Sequence, residues 1–231
     1  MPNQNLSIGD AVSVGWQIAK QNVLLVMGIS LVALAAPMVP SFIADELSKA
    51  GDNFAILSLL FGLASFGIGI VTSIGIISIA LKFINQQKPR VAEVFTTYRY
   101  FFRYCVASVL FSLMVMLGLI FLIIPGLILA IRCGMYGYFI IDQNLGPVDA
   151  LKASFRITKG KWWSLTSIYL TLGLINLVGF LALLVGYLFT YMVAAIAVAY
   201  VYKVLVAGEV GEYIPEAPIA PLPPPLPPVS A

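Results

Sequence analysis

The chain has 231 residues, 61% hydrophobic and 10% charged, with a net charge of +3 and a mean hydropathy of +0.99. This composition excludes an ordinary soluble domain and defines an integral membrane protein. Histidine is absent, which removes the commonest general base and metal ligand, so no catalytic residue, metal or cofactor is expected and the chain reads as a non-enzyme.

The stretch before Val23 is mixed polar, without the short apolar core of a cleaved signal peptide, so none is expected. Residues 7–21 predict an amphipathic helix at the membrane interface. Four apolar blocks follow, at 23–43, 54–84, 104–141 and 164–206, and about twenty apolar residues suffice to cross the hydrocarbon. The last two blocks are long enough for two helices each. Pro125-Gly126 breaks the third, because proline cannot continue the helical ladder and glycine tolerates a turn. Gly186-Tyr187 breaks the fourth. The expected spans are 23–43, 56–82, 104–124, 126–141, 164–184 and 187–206, the fourth being short.

Charge orients them. The segment 82–103 carries Lys82, Lys88, Arg90, Arg99 and Arg103, and 142–163 carries Lys152, Arg156, Lys159 and Lys161, whereas 44–53 is acidic through Asp45, Glu46 and Asp52. The positive-inside rule places both basic segments in the cytoplasm. The expected protein is then a multi-pass component of a prokaryotic cytoplasmic (inner) membrane with both termini cytoplasmic.

Three polar stretches align without gaps: DAVSVGWQIAK from Asp10, EVFTTYRYFFR from Glu93 and DALKASFRITK from Asp149. Each opens on an acid and ends on a base, at Lys20, Arg103 and Lys159, which suits the two ends of a helix dipole. They predict interface helices over 7–21, 90–103 and 147–162, each leading into a hairpin. Trp16, Tyr98, Tyr100, Tyr104, Trp162 and Trp163 fall in or beside them, at headgroup level and not at a nucleic-acid site. The fold class is therefore all-α: six transmembrane helices as three hairpins, each preceded by an amphipathic cytoplasmic helix. The membrane domain covers 1–208, and a Pro-rich disordered tail covers 209–231.

Arg132 lies inside the fourth span. Two readings stand: it snorkels outward or bonds free carbonyls near the Pro125-Gly126 break, or it contacts a lipid headgroup or another anion. With Lys152, Arg156, Lys159 and Lys161 it forms the candidate lipid or anion contact. Within the spans, Ser65, Gly69 and Ser73 give a small-residue seam, as do Ala182 and Gly186, and Asn176 is expected to make an interhelical hydrogen bond. Cys105 and Cys133 are expected to remain unbridged. PLPPPLPP in the tail is an extended segment able to dock on a protein partner.

The run IPGLILAIRC…FIIDQNLGPVDALKASFRITKGKWW, from Ile124 to Trp163, resembles the membrane proteins related to the glycerophosphoryl diester phosphodiesterase membrane domain. Pro125, Gly126, Arg132, Asp142, Gly146, Pro147, Ala150, Leu151, Ser154, Thr158, Lys159 and Gly160 occupy the places of that family's pattern. Pro125-Gly126 and Gly146-Pro147 are the structural turns the resemblance marks. The catalytic domain that members of the family can carry has no counterpart here, so the resemblance implies the membrane part alone. The expected role is non-enzymatic organisation of the membrane through membrane lipids or a protein partner. The alternative is a transporter or channel for a small anionic or lipid-like solute.

Overall fold

The computed structural model describes residues 7–87, 89 and 98–210, and its regular structure is helical throughout. Helix α1 (Ile8–Gln21) begins where the Ser7 hydroxyl accepts the Asp10 N–H at 3.3 Å. Asp10 in its first turn and Lys20 in its last fit the helix dipole. After Asn22 come α2 (Val23–Lys49) and α3 (Ala55–Ile84). A 3-10 turn at Tyr98–Tyr100 leads into α4 (Phe101–Phe121), α5 (Ile123–Cys133), α6 (Tyr136–Asp142), α7 (Pro147–Ile157), α8 (Trp162–Leu181) and α9 (Leu183–Val210). Among the described residues six segments are long and apolar enough to cross a membrane: α2, α3, α4, α5 with α6, α8, and α9 from Gly186 to Glu209. The chain is an all-α integral membrane protein.

The hairpin ends differ from expectation in ways that packing explains. Helix α2 runs on to Lys49, past the expected end at 43, because Lys49 pairs with Asp45 (2.6 Å) and Glu46 (3.2 Å) on one face. The second hairpin turns at Leu122, whose backbone is extended (φ −164, ψ 140), and not at Pro125-Gly126. Pro125 sits in the first turn of α5, where its missing N–H costs nothing. Gly126 serves the crossing itself, since a Cβ there would come within 2.6 Å of the Leu119 nitrogen. The third hairpin likewise turns at Ala182, while Gly186 lies inside α9 against the Gly179 carbonyl.

Other expectations are revised at the side-chain level. Ser65 does reach α2, its hydroxyl donating to the Pro37 carbonyl at 2.7 Å, but Gly69 faces open space and Ser73 bonds back to Gly69 of its own helix. The Asn176 carbonyl oxygen has no hydrogen-bond partner, so the expected interhelical bond is not made through it. Cys105 and Cys133 are free thiols.

Helices α3, α6 and α9 meet at the centre. Gly137 of α6 allows Ile77 of α3 and Tyr104 of α4 to close in on its backbone. The Tyr138 hydroxyl donates to the Ala195 carbonyl of α9 at 3.3 Å, and the Tyr138 and Phe139 rings lie stacked and edge-on to Tyr202, with centroids 5.3 and 5.1 Å away. Large apolar side chains are left exposed along the spans, including Phe42, Phe66, Phe121 and Phe180, the surface that hydrocarbon covers in a spanning protein.

Helices α1 and α7, which precede hairpins, do not project from the bundle. Helix α1 lies along α9: a Cβ on Gly15 would stand 2.6 Å from the Val193 carbonyl and 3.3 Å from the Ala197 Cβ. Its buried positions are Ala11, Gly15 and Ala19, one residue per helical turn. Helix α7 rests on α4, α5 and α6, and the Tyr98–Tyr100 turn touches α3. Helices α1 and α7 thus each pack chiefly on a hairpin other than their own. The expected second interface helix falls largely on residues outside those described. Its last residues, from Phe101, belong to α4.

Candidate lipid-facing site around Arg132 and helix α7

Helix α7 is defined by its ends. Gly146 is the extended residue before it, Pro147 occupies its first turn where no N–H is needed, and Asp149 faces the positive end of the dipole. Thr158 caps it, and Gly160 (φ +78) takes the left-handed conformation that a side chain resists. The expected helix over 147–162 therefore stops at Ile157, and α8 starts at Trp162. Ala150, Leu151, Ala153, Ser154 and Ile157 are buried; Lys152, Phe155, Arg156 and Lys159 are exposed.

The buried face repairs a broken span. Between α5 and α6 the helix is interrupted at Gly134-Met135, which frees backbone groups that need partners. The Ser154 hydroxyl donates to the Arg132 carbonyl at 2.8 Å and accepts the Met135 N–H at 3.1 Å. The Thr158 hydroxyl lies 3.2 Å from the same Arg132 carbonyl and 2.8 Å from that of Ser154. Both hydroxyl-bearing residues are fully buried.

Arg132 lies in the last turn of α5 and reaches across to the end of α7. One terminal guanidinium nitrogen donates to the Phe155 carbonyl at 3.1 Å, and the guanidinium carbon stands 3.5 Å over the Phe155 ring. Two helix C-termini, each carrying partial negative charge, thus share one cation. This bond lies at the C-terminal end of α5, just before the Gly134-Met135 break, and not near Pro125-Gly126. The Nε atom is buried without a partner.

The structure sets Lys152 and Arg156 on the open face of α7 with Phe155, and Lys159 in the turn that follows it. Arg156 bonds Glu209 of α9 at 2.6 Å, with side chains 70% and 36% exposed, a pairing worth little in free energy. Lys161 sits half-buried just before α8, followed by Trp162 and Trp163, whose ring centroids are 4.1 Å apart. Pro125 and Gly126 lie in the first turn of α5 and Gly146 and Pro147 at the start of α7, outside this cluster.

A second polar cluster escaped sequence reasoning. Asp142 at the end of α6 accepts Lys203 (2.9 and 3.1 Å) and the Tyr202 hydroxyl (3.0 Å), all from α9. Nearby in sequence, Arg103 donates to the Asn144 carbonyl and side-chain oxygen at 2.9 and 2.8 Å. An acid ending one apolar run and a base inside another were the available signal.

Comparison with known proteins adds relatives of uninformative name. An uncharacterised protein of Mycobacterium bovis and two of Mycobacterium tuberculosis strains are each 27% identical to this chain over 97% of its length and 76% of theirs. No family model and no solved structure matches. These proteins share sequence over nearly the whole chain, the six spans included.

Proposed function

We propose that the chain is a non-enzymatic protein of a prokaryotic cytoplasmic membrane that gathers anionic lipid at the inner surface through α7. The observation that carries this reading is the open face of that helix and the turn after it, where Lys152, Arg156 and Lys159 are exposed with Phe155 and Arg132 backs the same ring. Basic residues placed at an anionic leaflet gain about 1 kcal/mol each. Trp162 and Trp163 follow at once, and tryptophan favours the headgroup layer. With that face in the cytoplasm, the even number of spans puts both termini there as well.

The interface segments support a common unit. Aligned at Asp10 and Asp149, helices α1 and α7 bury Ala11 with Ala150, Gly15 with Ser154 and Ala19 with Thr158, and expose Trp16 with Phe155. The reading is a tandem of three hairpins, each led by such a segment, in keeping with the resemblance to the phosphodiesterase membrane domain. The Pro-rich tail is the surface offered to a protein partner.

Transport of a small anionic or lipid-like solute is the second reading, favoured by the broken fourth span, since discontinuous helices line solute sites in transporters. Ser154 and Thr158 already occupy the carbonyl and N–H at this break, which leaves them nothing to offer a solute.

Native mass spectrometry of the full chain with added phosphatidylglycerol or phosphatidylcholine tests the proposal. The combined Lys152→Gln, Arg156→Gln, Lys159→Gln variant is expected to lose phosphatidylglycerol adducts and keep phosphatidylcholine adducts. Equal retention of both by the variant sinks it.

A further inference from the structure

The docking of α1 on α9 leaves a stripe of polar side chains on the far side of α1. Gly15 packs on Val193 and Ala197, in the middle of the span Gly186–Glu209. The opposite side of α1 carries Asp10, Ser13, Gln17 and Lys20, all exposed and recurring at three- and four-residue spacing. Among the described residues, the Gln17 and Lys20 side chains have no hydrogen bond or ion pair within the chain. Polar groups held beside a spanning helix favour polar company, since bare hydrocarbon is an expensive neighbour.

Beside this stripe runs an apolar groove. One part, about 400 Å³, lies between Ile8, Val12, Ser13, Gln17 and Thr171 of α8. A second, about 480 Å³, continues past Leu174 and Val178 to Gly179, Gly186 and Phe189. Trp16 and Thr171 line both parts, so the two form one channel along the flank of α1. Trp16 stands on its rim, 46% exposed and edge-on to Phe189 at 5.2 Å. Leu174 and Val178 are 55% and 65% exposed on a spanning helix, so the groove opens onto hydrocarbon.

We infer that this groove binds one phospholipid, an acyl chain lying against Trp16 and Thr171 while the glycerol ester region meets the Gln17 amide beside Ser13, whose own hydroxyl donates to the Asp10 carbonyl. The apolar channel and the polar stripe share Ser13 and Gln17, and an amphiphile satisfies both with a single molecule. An ester-linked lipid supplies acceptors for the unpartnered Gln17 amide, which a bare hydrocarbon chain lacks. The relation between α1 and its hairpin parallels that of α7. Phe155 stands where Trp16 does in the aligned segments, and its ring carries Arg132 of the chain itself, while the Trp16 groove has no such filler. The site is separate from the basic face of α7 and requires no anionic headgroup.

Trp16 itself reports occupancy. In the full chain with Trp162→Phe and Trp163→Phe, delipidated in detergent, Trp16 is the remaining tryptophan, and phosphatidylcholine brominated on its acyl chains is the titrant. The expected result is a saturable loss of Trp16 emission, complete at one lipid per chain. Thr171→Phe, which fills the junction of the two parts, and Ser13→Phe, which fills it from the exposed wall, should each abolish that saturation. Because Ser13 lies on the surface, its variant remains informative if Thr171→Phe does not fold. Absent quenching, quenching that rises without saturation, or saturation that survives both fillings overturns the assignment. So does cross-linking of Ser13→Cys between two copies with no quenching, which would make a second copy the cover. The neutral headgroup of the probe keeps this outcome independent of phosphatidylglycerol binding at α7.

Discussion

The Ser154 hydroxyl sits between the two ends of an interrupted helix, 2.8 Å from the Arg132 carbonyl and 3.1 Å from the Met135 nitrogen. A gap in a membrane span is thereby closed by a side chain from a different helix. Ser154→Ala leaves both backbone groups without that partner, and a buried group so stranded costs about 1–3 kcal/mol. Denaturation in detergent should show the loss. Ser167→Ala, which removes a hydroxyl bonded only to Trp163 of its own helix, should stay within about 0.5 kcal/mol of the parent. Equal effects at the two sites would count against the splint.

Gly15 admits α9 to the backbone of α1, and the group a side chain would strike is the Val193 carbonyl, which cannot swing aside. Gly15→Val should lower stability by about 1–3 kcal/mol through overpacking and shift Trp16 emission to the red as the helix lifts from Phe189. Gly28→Ala, placed where a Cβ meets nothing within 4 Å, should be neutral or gain up to about 1 kcal/mol of helix propensity. An unshifted Trp16 spectrum in Gly15→Val would argue against the observed docking.

How much of this could be read from residues alone depended on distance along the chain. The start of α1 was legible because Ser7 and Asp10 are adjacent signals, and the spans were legible because hydropathy is a property of a window. Turn positions were less so. Pro125 and Gly186 are helix breakers in isolation, yet both lie within helices, since a first-turn proline loses no bond and glycine at a crossing is chosen for its missing side chain. The Gly134-Met135 break was missed because the hydroxyls that make it affordable lie on α7. Arg132 was singled out as an isolated charge, but its partner, the Phe155 carbonyl, is a backbone group that no side-chain pattern announces.

Asp142 and Lys203 form a second testable pair, with side chains 21% and 28% exposed. Asp142→Leu leaves the ammonium unpaired and Lys203→Met leaves the carboxylate with Tyr202 alone, so each should cost about 1–3 kcal/mol. The double variant should lose less than the sum, as contacting residues do. Strict additivity in unfolding experiments would show the pair to be energetically silent.

Sidedness is open to cysteine labelling in a background with Cys105 and Cys133 replaced. Single cysteines at Lys88 and Lys159 should react with an impermeant maleimide from the same face of the membrane, and one at Gly51 from the other. Opposite labelling at Lys88 and Lys159 would remove the proposed orientation.

The docking of α1 onto α9 also bears on how the molecule is made. Helix α1 has its seat on α9, so the Ala11, Gly15 and Ala19 stripe must wait through insertion of the spans between them. Until Val193 and Ala197 emerge, that stripe has no mate and the Asn22 joint carries an undocked arm. Biogenesis therefore includes a closing step in which α1 and α9 find each other, and a nascent chain halted before α9 would keep α1 accessible to protease.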